Sequence, residues 1–389
     1  MFEGFTPPQT PLLVVDRAAL ARNLKTMQDL CDQHGVRLRA HGKTHKCSTL
    51  GRLQQAGGAV GLCAQTVGEA EAFVKGGITD VLVTAPPAPW GAARLAVLGK
   101  SARVGSVADA AEQIERLGAA ARAAGVTLDL VVDIDPGTHR TGCHPDDTVA
   151  LARLAASTEG LNYRGVQAYA GHLQHIAGLE DRRAADHAVG ARLAATVAAL
   201  TNANLAPEIV TGGGTGTHSF ALASGLFNEL QAGSYAVMDV EYDVCAAPGG
   251  GAWPFEPALF VAASVVSANH KSHVTVDAGF KAMSMDGPPA KVAAGAAPGS
   301  LWRPMGDEHG MIIHPEGLGL LRGGGFVEAV EKADRDAEVA WPADAPKLGD
   351  IVWLQPGHCD PTINLYDALH VVAEDGSFER WAVDARRIS

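Results

Sequence analysis

The sequence predicts an α/β chain: a (β/α)8 barrel over about residues 16–245, then a second, mostly β domain over 246–389 that the N-terminal stretch 1–15 joins. Three observations lead there. Strand-like and helix-like segments alternate up to about residue 240, and the alternation then stops. The alternating part holds eight strand-like runs, and eight strand–helix units in roughly 230 residues is the size of such a barrel. Residues of chemical type stand at the C-terminal end of nearly every run, where a barrel assembles its site. An open doubly wound sheet, the alternative, would gather them at one switch point.

Taken in order, Thr10–Val15 reads as extended. Asp16 caps a helix with an apolar face of Leu20, Leu24, Met27 and Leu30, and Gly35 stops it. The eight strand-like runs are Val36–Ala40, Ala59–Ala64, Asp80–Thr84, Ala102–Val107, Leu128–Ile134, Tyr163–Tyr169, Glu208–Thr211 and Glu229–Tyr235. Ala-rich segments of helical spacing separate most of them, for example Asp109–Ala124 and Arg182–Ala203. Beyond about residue 245, Gly and Pro turns punctuate β-type runs at Ala258–Ser264, His273–Asp277, Gly310–His314, Ile351–Leu354, Ala368–Ala373 and Arg380–Val383. Helical periodicity fades there.

Composition narrows the function classes. A net charge of -12 argues against non-specific nucleic-acid binding. No apolar run approaches ~18 residues, so no membrane span is expected. No basic stretch followed by an apolar core opens the chain, so no signal peptide is read. The six cysteines form no CxxC pair, which fits a reducing cytoplasm better than a disulfide framework or a zinc module.

Five elements carry chemistry. Lys43 sits just past the first barrel strand in Arg37-Leu38-Arg39-Ala40-His41-Gly42-Lys43-Thr44-His45-Lys46, where an amine held in a pocket and deprotonated forms Schiff bases; a solvated surface lysine is the alternative. Val210-Thr211-Gly212-Gly213-Gly214-Thr215-Gly216 and Gly233-Ser234-Tyr235 end the seventh and eighth strands, the loops that usually bind phosphate in such barrels; two tight turns are the plainer reading. Arg140, after the fifth strand, suits an oxyanion or a loop salt bridge. Tyr169 and the pair His172 and His175 follow the sixth strand: a ring wall and candidate bases, or satisfied core groups. In the β domain lies Pro356-Gly357-His358-Cys359-Asp360-Pro361-Thr362. If extended, it turns His358 and Asp360 to one side, able to share a divalent ion, with Cys359 opposite. Asp307-Glu308-His309-Gly310 is a second polar cluster, suited to supporting that ion's ligands.

With these in hand, the chain resembles the fold-type III pyridoxal-phosphate enzymes, most of all the D-threonine aldolase family, with the D-serine dehydratases next. The likeness spans nearly the whole chain. It rests on HGKTHK, the Arg140 loop, QAYAGHLQH, TGGGTG, ELQAGSYAVMD, DAGFK, DEHG and GHCDPT. It implies that Lys43 forms the Schiff base with pyridoxal 5'-phosphate. Gln65, Arg140, Tyr169, Thr211, Gly213, Gly214, Gly233, Ser234 and Tyr235 would line the cofactor, and His358 and Asp360 would hold Mn, Mg or Zn. Lys43, His175 and Tyr169 would be the catalytic residues. It further implies an alanine racemase-like barrel, a dehydratase-like β domain and a homodimer with sites at its interface. The expected reaction is retro-aldol cleavage of a β-hydroxy-D-amino acid to glycine and an aldehyde. A D-3-hydroxyaspartate aldolase shares the His-x-Asp wording. A D-serine or 3-hydroxyaspartate dehydratase, making a 2-oxo acid and ammonia, is expected to carry Cys where this chain has Asp360. A racemase, a non-catalytic cofactor carrier and a metal-dependent barrel hydrolase stand as further readings.

Overall fold

Eight parallel strands close on themselves in the order in which the chain makes them. The computed structural model describes residues 1–321, 325–336, 339–340 and 342–386. After β1 (Leu12–Asp16), the barrel strands are β2 (Arg37–His41), β3 (Gly61–Ala64), β4 (Asp80–Val83), β5 (Arg103–Ala108), β6 (Leu128–Asp133), β7 (Leu161–Ala168), β8 (Ile209–Gly212) and β9 (Glu229–Leu230), and β9 pairs back with β2. All eight predicted runs are present. Asp16 caps helix Arg17–Gln33 through Oδ1, which accepts the N–H groups of Ala18 and Ala19 at 2.9 Å, and Gly35 turns away at φ 64°. The segment predicted as a strand to Tyr235 is strand only at Glu229–Leu230. Beyond Leu230 the chain turns, and Ser234–Ala236 is a single 3-10 turn.

The chain divides into two compact units. The barrel unit takes Arg22–Ala236, Cys245–Pro254 and the C-terminal segment from Ala382; the other takes Met1–Ala21, Val237–Val244 and Phe255–Trp381.

Inside the barrel, side chains two residues apart share a face. Arg39 and His41 follow one another on β2, Asp80, Leu82 and Thr84 along β4, Asp129, Val131 and Asp133 along β6, and Glu229 and Gln231 along β9. The first of each belong to a charged layer at the N-terminal end. Buried Arg39 donates to Glu229 at 2.9 Å and to Asp80 at 2.5 Å, and Asp129 accepts from Arg103 at 2.7 Å and Arg164 at 2.9 Å. Leu82, Val107 and Val131 form an apolar middle. At the C-terminal end lies a hydrogen-bonded layer: Gln167 Nε2 donates to Asp133 Oδ1 at 2.9 Å and to the Thr84 carbonyl at 3.0 Å, and Gln231 Nε2 donates to Gln167 Oε1 at 2.9 Å. A bulge in β7 brings Gly165 against β8. Its φ is 143°, and a Cβ there would stand 2.0 Å from the Ile209 oxygen, so only glycine fits.

The second unit is built on a nine-stranded, mainly antiparallel sheet of β1, β10 (Leu259–His270), β11 (His273–Val276), β12 (Lys291–Ala294), β13 (Leu301–Pro304), β14 (Gly310–Ile313), β15 (Ile351–Gln355), β16 (Ala368–Val372) and β17 (Phe378–Ala382). β1 lies between β10 and β16. Phe5, Leu12, Val14, Phe260, Ala262, Trp353 and Val372 pack one face. β12 and β13 lack the sequence signal that marks the others: Lys-Val-Ala-Ala is half-exposed throughout, and Leu-Trp-Arg-Pro ends in a proline. Helices Pro315–Leu320 and Phe326–Arg335 also stand in this unit, where no helical pattern was expected. Among the described residues no helix is long and apolar enough to cross a membrane, and all six cysteines are free and buried.

Two outcomes follow from the barrel layers. Glu229→Ala strands the buried Arg39 guanidinium and should lower the unfolding free energy by roughly 3–5 kcal/mol, read as a lower urea midpoint; an unchanged midpoint would refute the closing role of the pair. Burial raises the Asp133 pKa from 3.8 to about 6, although Gln167 and Thr141 hydrogen bonds pull it back. Between those two values the folded chain holds a proton that the unfolded chain has released. The stability Asp133 contributes is therefore complete below 3.8 and is lost as pH rises through about 6. Asp133→Asn does not titrate, so its stability relative to wild type should climb across that window and level off above it. Parallel curves in urea titrations across the window would contradict this.

Candidate active site

The turn after β2 presents Lys43, and two histidines build it. Thr84 Oγ1 donates to the Ala64 carbonyl at 3.2 Å, so it accepts from His41 Nε2 at 3.1 Å; this leaves His41 Nδ1 to accept the Lys43 N–H at 3.5 Å. By the same reasoning Gln54, which donates through Nε2 to the Tyr235 hydroxyl at 3.1 Å, offers Oε1 to His45 Nε2 at 3.1 Å. His45 Nδ1 then accepts the Cys47 N–H at 3.1 Å. His41 and His45 are thus buried scaffolding of the lysine turn. Buried Glu69 completes it, accepting the Gln65 N–H at 2.6 Å and pairing with Lys46 at 3.4 Å.

The Gly-rich turns lie at the same barrel end. The N–H groups of Gly213, Gly233 and Ser234 have no acceptor among the described residues, and the hydroxyls of Thr44 and Thr211 are buried without a hydrogen-bond partner. Such unspent donors suit a bound phosphate. Gly233 allows the turn to close on Lys43's neighbour: a Cβ there would stand 2.4 Å from Thr44 Oγ1. Gly214 gives its N–H to Thr217 at 3.3 Å, and Tyr235 gives its own to Thr215 at 2.9 Å. The Tyr235 hydroxyl is also committed, and burial pushes its pKa up. After the TGGGTG turn the helix His218–Ala223 has only six residues, so the backbone of the turn, rather than a helix dipole, faces an anion.

Arg140 and Tyr169 meet. The guanidinium stands 5.8 Å from the Tyr169 ring centroid. The Arg140 loop is held by Asp135, whose carboxylate accepts the N–H groups of Gly137 at 2.8 Å and His139 at 3.0 Å, and by Asp109, which accepts from Gly142 at 2.8 Å. Thr138 joins it to β7, donating to the Tyr169 carbonyl at 3.2 Å and lying 3.0 Å from His172 Nδ1. His175 is exposed beyond the same strand end.

In the second unit the surroundings of His358 differ from the expected pair. The segment does not stay extended: His358 is extended, but Cys359–Ile363 is one helical turn, fixed by Asp239 Oδ2 accepting the Cys359 N–H at 2.9 Å and by Thr362 donating to the His358 carbonyl at 2.7 Å. The same-side argument for His358 and Asp360 therefore fails locally. Asp239, Glu241 and His358 instead each offer a ligand atom within 4.8 Å of the others. Asp239 Oδ1 is buried without a hydrogen bond, and burial raises that carboxyl to about 7. His358 Nδ1 lies 2.9 Å from Asp286 Oδ2. Burial lowers the imidazole pKa, but Asp360, Glu241 and Asp239, with the Asp286 hydrogen bond, more than offset that and leave it raised. This is a field that favours a cation. One imidazole and buried carboxylate oxygens form a donor set suited to Mn, Mg or Zn, with Asp360 adding charge beside it. Asp307 and Glu308 pair with Lys281 on the surface, not with His358. Asp239 and Glu241 were missed because nothing in Val-Met-Asp-Val-Glu shows that it meets a segment more than a hundred residues on. Cys359 is fully buried.

Comparison with known proteins agrees with this anatomy. The family described as alanine racemase, N-terminal domain, matches residues 15–240, and the putative serine dehydratase domain matches 258–372. The chain is 39% identical over 388 residues to a 3-hydroxy-D-aspartate aldolase of Paracoccus denitrificans (strain Pd 1222), covering 97% of this chain and 92% of that one. It is 39% identical over 387 residues to a D-threonine aldolase of Arthrobacter sp, covering 98% and 93%. The crystal structure of D-threonine aldolase from Filomicrobium marinum superposes with a TM-score of 0.86 at 37% identity, covering 97% of this chain and 96% of that one. These relatives are named as aldolases, which are carbon–carbon lyases. By sequence over nearly its whole length and by fold, the chain belongs to the D-threonine aldolase family, with an alanine racemase-like barrel.

Proposed function

We propose that the chain is a pyridoxal-phosphate- and divalent-metal-dependent aldolase that cleaves β-hydroxy-D-amino acids to glycine and an aldehyde. The observation that carries this reading is the convergence, at one barrel end, of Lys43, the Arg140–Tyr169 pair and the unspent N–H groups of Gly213, Gly233 and Ser234. The relatives' names support it, and with them D-threonine and D-3-hydroxyaspartate are the two substrates to compare. Membership of the family supports pyridoxal phosphate. A homodimer and a cytoplasmic location belong to the same proposal.

Lys43 would hold the cofactor covalently and release it to the substrate amine. The Gly213, Gly233 and Ser234 N–H groups, with the Thr44 and Thr211 hydroxyls, would bind its phosphate, and Arg140 its phenolic oxygen, against Gln65 and Tyr169. His358 and neighbouring carboxylates, Asp360 among them, would hold the metal. When bound, the cofactor supplies an electron sink for Cα and the ion polarises the β-hydroxyl. His175 would take the hydroxyl proton as the Cα–Cβ bond breaks. The products would be an aldehyde and glycine, with the hydroxyl proton balanced by the one returned to Cα.

Product analysis with Mn, pyridoxal phosphate and each D-amino acid should show glycine with acetaldehyde or glyoxylate; a 2-oxo acid with ammonia would replace this reading with a dehydratase. Lys43→Ala should lose the protein-bound cofactor absorbance, and its persistence would move the attachment elsewhere. His175→Asn should lower kcat by about 10²–10⁴-fold. Chelation should suppress turnover while leaving the cofactor absorbance in place, and added Mn should restore it. Full activity in a chelated sample would remove the metal from the mechanism.

A further inference from the structure

One buried amide ties the loop after β7 to the turn after β8. Gln174 is 3% exposed. Its Oε1 accepts the Gly216 N–H at 2.9 Å, and its Nε2 donates to the Ala170 carbonyl at 3.2 Å and to Thr217 Oγ1 at 3.1 Å. An N–H on one side and a carbonyl on the other force the orientation of the amide, since the flipped form would set oxygen against oxygen. Thr217 Oγ1 also accepts the Gly214 N–H at 3.3 Å. Two glycines of the turn follow from this strut. A Cβ on Gly214 would stand 2.5 Å from Gln174 Oε1, and a Cβ on Gly216 would overlap the Gln174 backbone oxygen. The turn Thr211-Gly212-Gly213-Gly214-Thr215-Gly216 therefore has two tasks. Gly213, at φ 67°, keeps its N–H unspent for an anion, whereas Gly214 and Gly216 make room for Gln174.

The other end of the strut is the segment that leads into His175. The Ala170 carbonyl takes the Leu173 N–H at 3.2 Å as well as Gln174 Nε2, which closes the short turn Gly171–Leu173. The Gln174 N–H goes to the Gly171 carbonyl at 3.2 Å. Ala170 and Leu173 pack on Val189 of the helix Leu179–Asn202. His175, exposed, is the next residue of the chain. Both amide protons of Gln174 are spent within the protein, and the side chain is buried, so it acts through its neighbours. We propose that Gln174 is a positioning residue of the aldol cleavage. It holds His175, the base, and the phosphate turn in one fixed relation, so that filling the turn also sets the base. The inference rests on the cofactor and base readings given above. Its consequence is geometric: proton transfer needs hydrogen-bond reach, and a base displaced by about an ångström loses much of its effect.

The test is a double-mutant cycle between Gln174 and His175 in holoenzyme. Two quantities are read: the dissociation constant of pyridoxal phosphate, and kcat per bound cofactor at saturating pyridoxal phosphate and Mn. Gln174→Met keeps an unbranched side chain of similar size and removes all three side-chain hydrogen bonds. It should weaken cofactor binding about tenfold and lower kcat about 10–100-fold. In a His175→Asn background the same substitution should weaken the cofactor as before yet cost kcat nothing further, because the base it positions is gone. A purely structural role would lower kcat by the same factor in both backgrounds, and that outcome overturns the inference. A Gln174→Met enzyme with wild-type kcat overturns it too. If Gln174→Met does not fold, Thr217→Val, which removes one acceptor of the same amide, should give the same non-additive cycle with His175→Asn; additive losses there overturn the inference equally. A His175→Asn enzyme with wild-type kcat marks instead the failure of the base reading, and wild-type protein that retains no pyridoxal phosphate through gel filtration marks that of the cofactor reading; in either case the inference falls with it.

Discussion

The barrel closes on a strand of two residues. β9 is a regular strand only at Glu229 and Leu230, and backbone bonds of the flanking residues complete the seam: Arg37 N–H to Asn228, Asn228 N–H to Val210, Gln231 N–H to Gly212 and His41 N–H to Ala232. Buried side chains reinforce it. Glu229 takes the Arg39 guanidinium in the interior, and Arg39 reaches on to Asp80 at the start of β4. A buried ion pair of this kind is a poor source of net stability, but breaking one half of it leaves a stranded charge. The pair therefore works as a registration device: with it in place the eighth strand can stop early. The chain leaves the seam after Ala232, and the turn that follows leaves the N–H groups of Gly233 and Ser234 unspent.

The same logic stacks three layers inside the barrel. Charges at the N-terminal end, branched aliphatic side chains in the middle and a directed amide layer at the C-terminal end follow from period-two alternation on strands that share a register. The lower two layers serve stability. The upper one cannot be justified that way, since Asp133 is buried far enough to raise its pKa to about 6 and an apolar side chain would avoid that penalty. What Asp133 does there is impose an orientation on Gln167.

Much of this was legible in the sequence, for reasons that can be named. The parallel strands announce themselves as short apolar runs between helical periodicities, and Asp16 and Gly35 punctuate the first helix with caps that need no tertiary partner. Lys43, Arg140 and Tyr169 could be singled out because a barrel delivers strand ends to one place whatever lies between them. Three features escaped. β12 is exposed or half-exposed along its length and β13 ends in a proline, so their pairing, not their composition, makes them strands. His41 and His45 flank Lys43 in the sequence without a sign of what they do, and only the partners Thr84 and Gln54 reveal them as scaffolding. The extended reading of His358–Asp360 failed because a distant carboxylate, Asp239, caps the next residue and folds the segment into a turn.

That last failure shows how the His358 environment is made. Asp239 does two jobs with its two oxygens: Oδ2 accepts the Cys359 N–H and bends the chain, while Oδ1 stays buried without a partner beside His358 and Glu241. Burying a carboxylate for the cap alone would be expensive, and a serine or asparagine could hold the same N–H without charge. The charge makes sense only if something positive is meant to sit near it. His358 is held in line by Asp286 on one ring nitrogen, which leaves the other for a ligand. The cap therefore positions the imidazole and leaves a buried carboxylate oxygen beside it in one stroke, with burial raising that carboxyl to about 7.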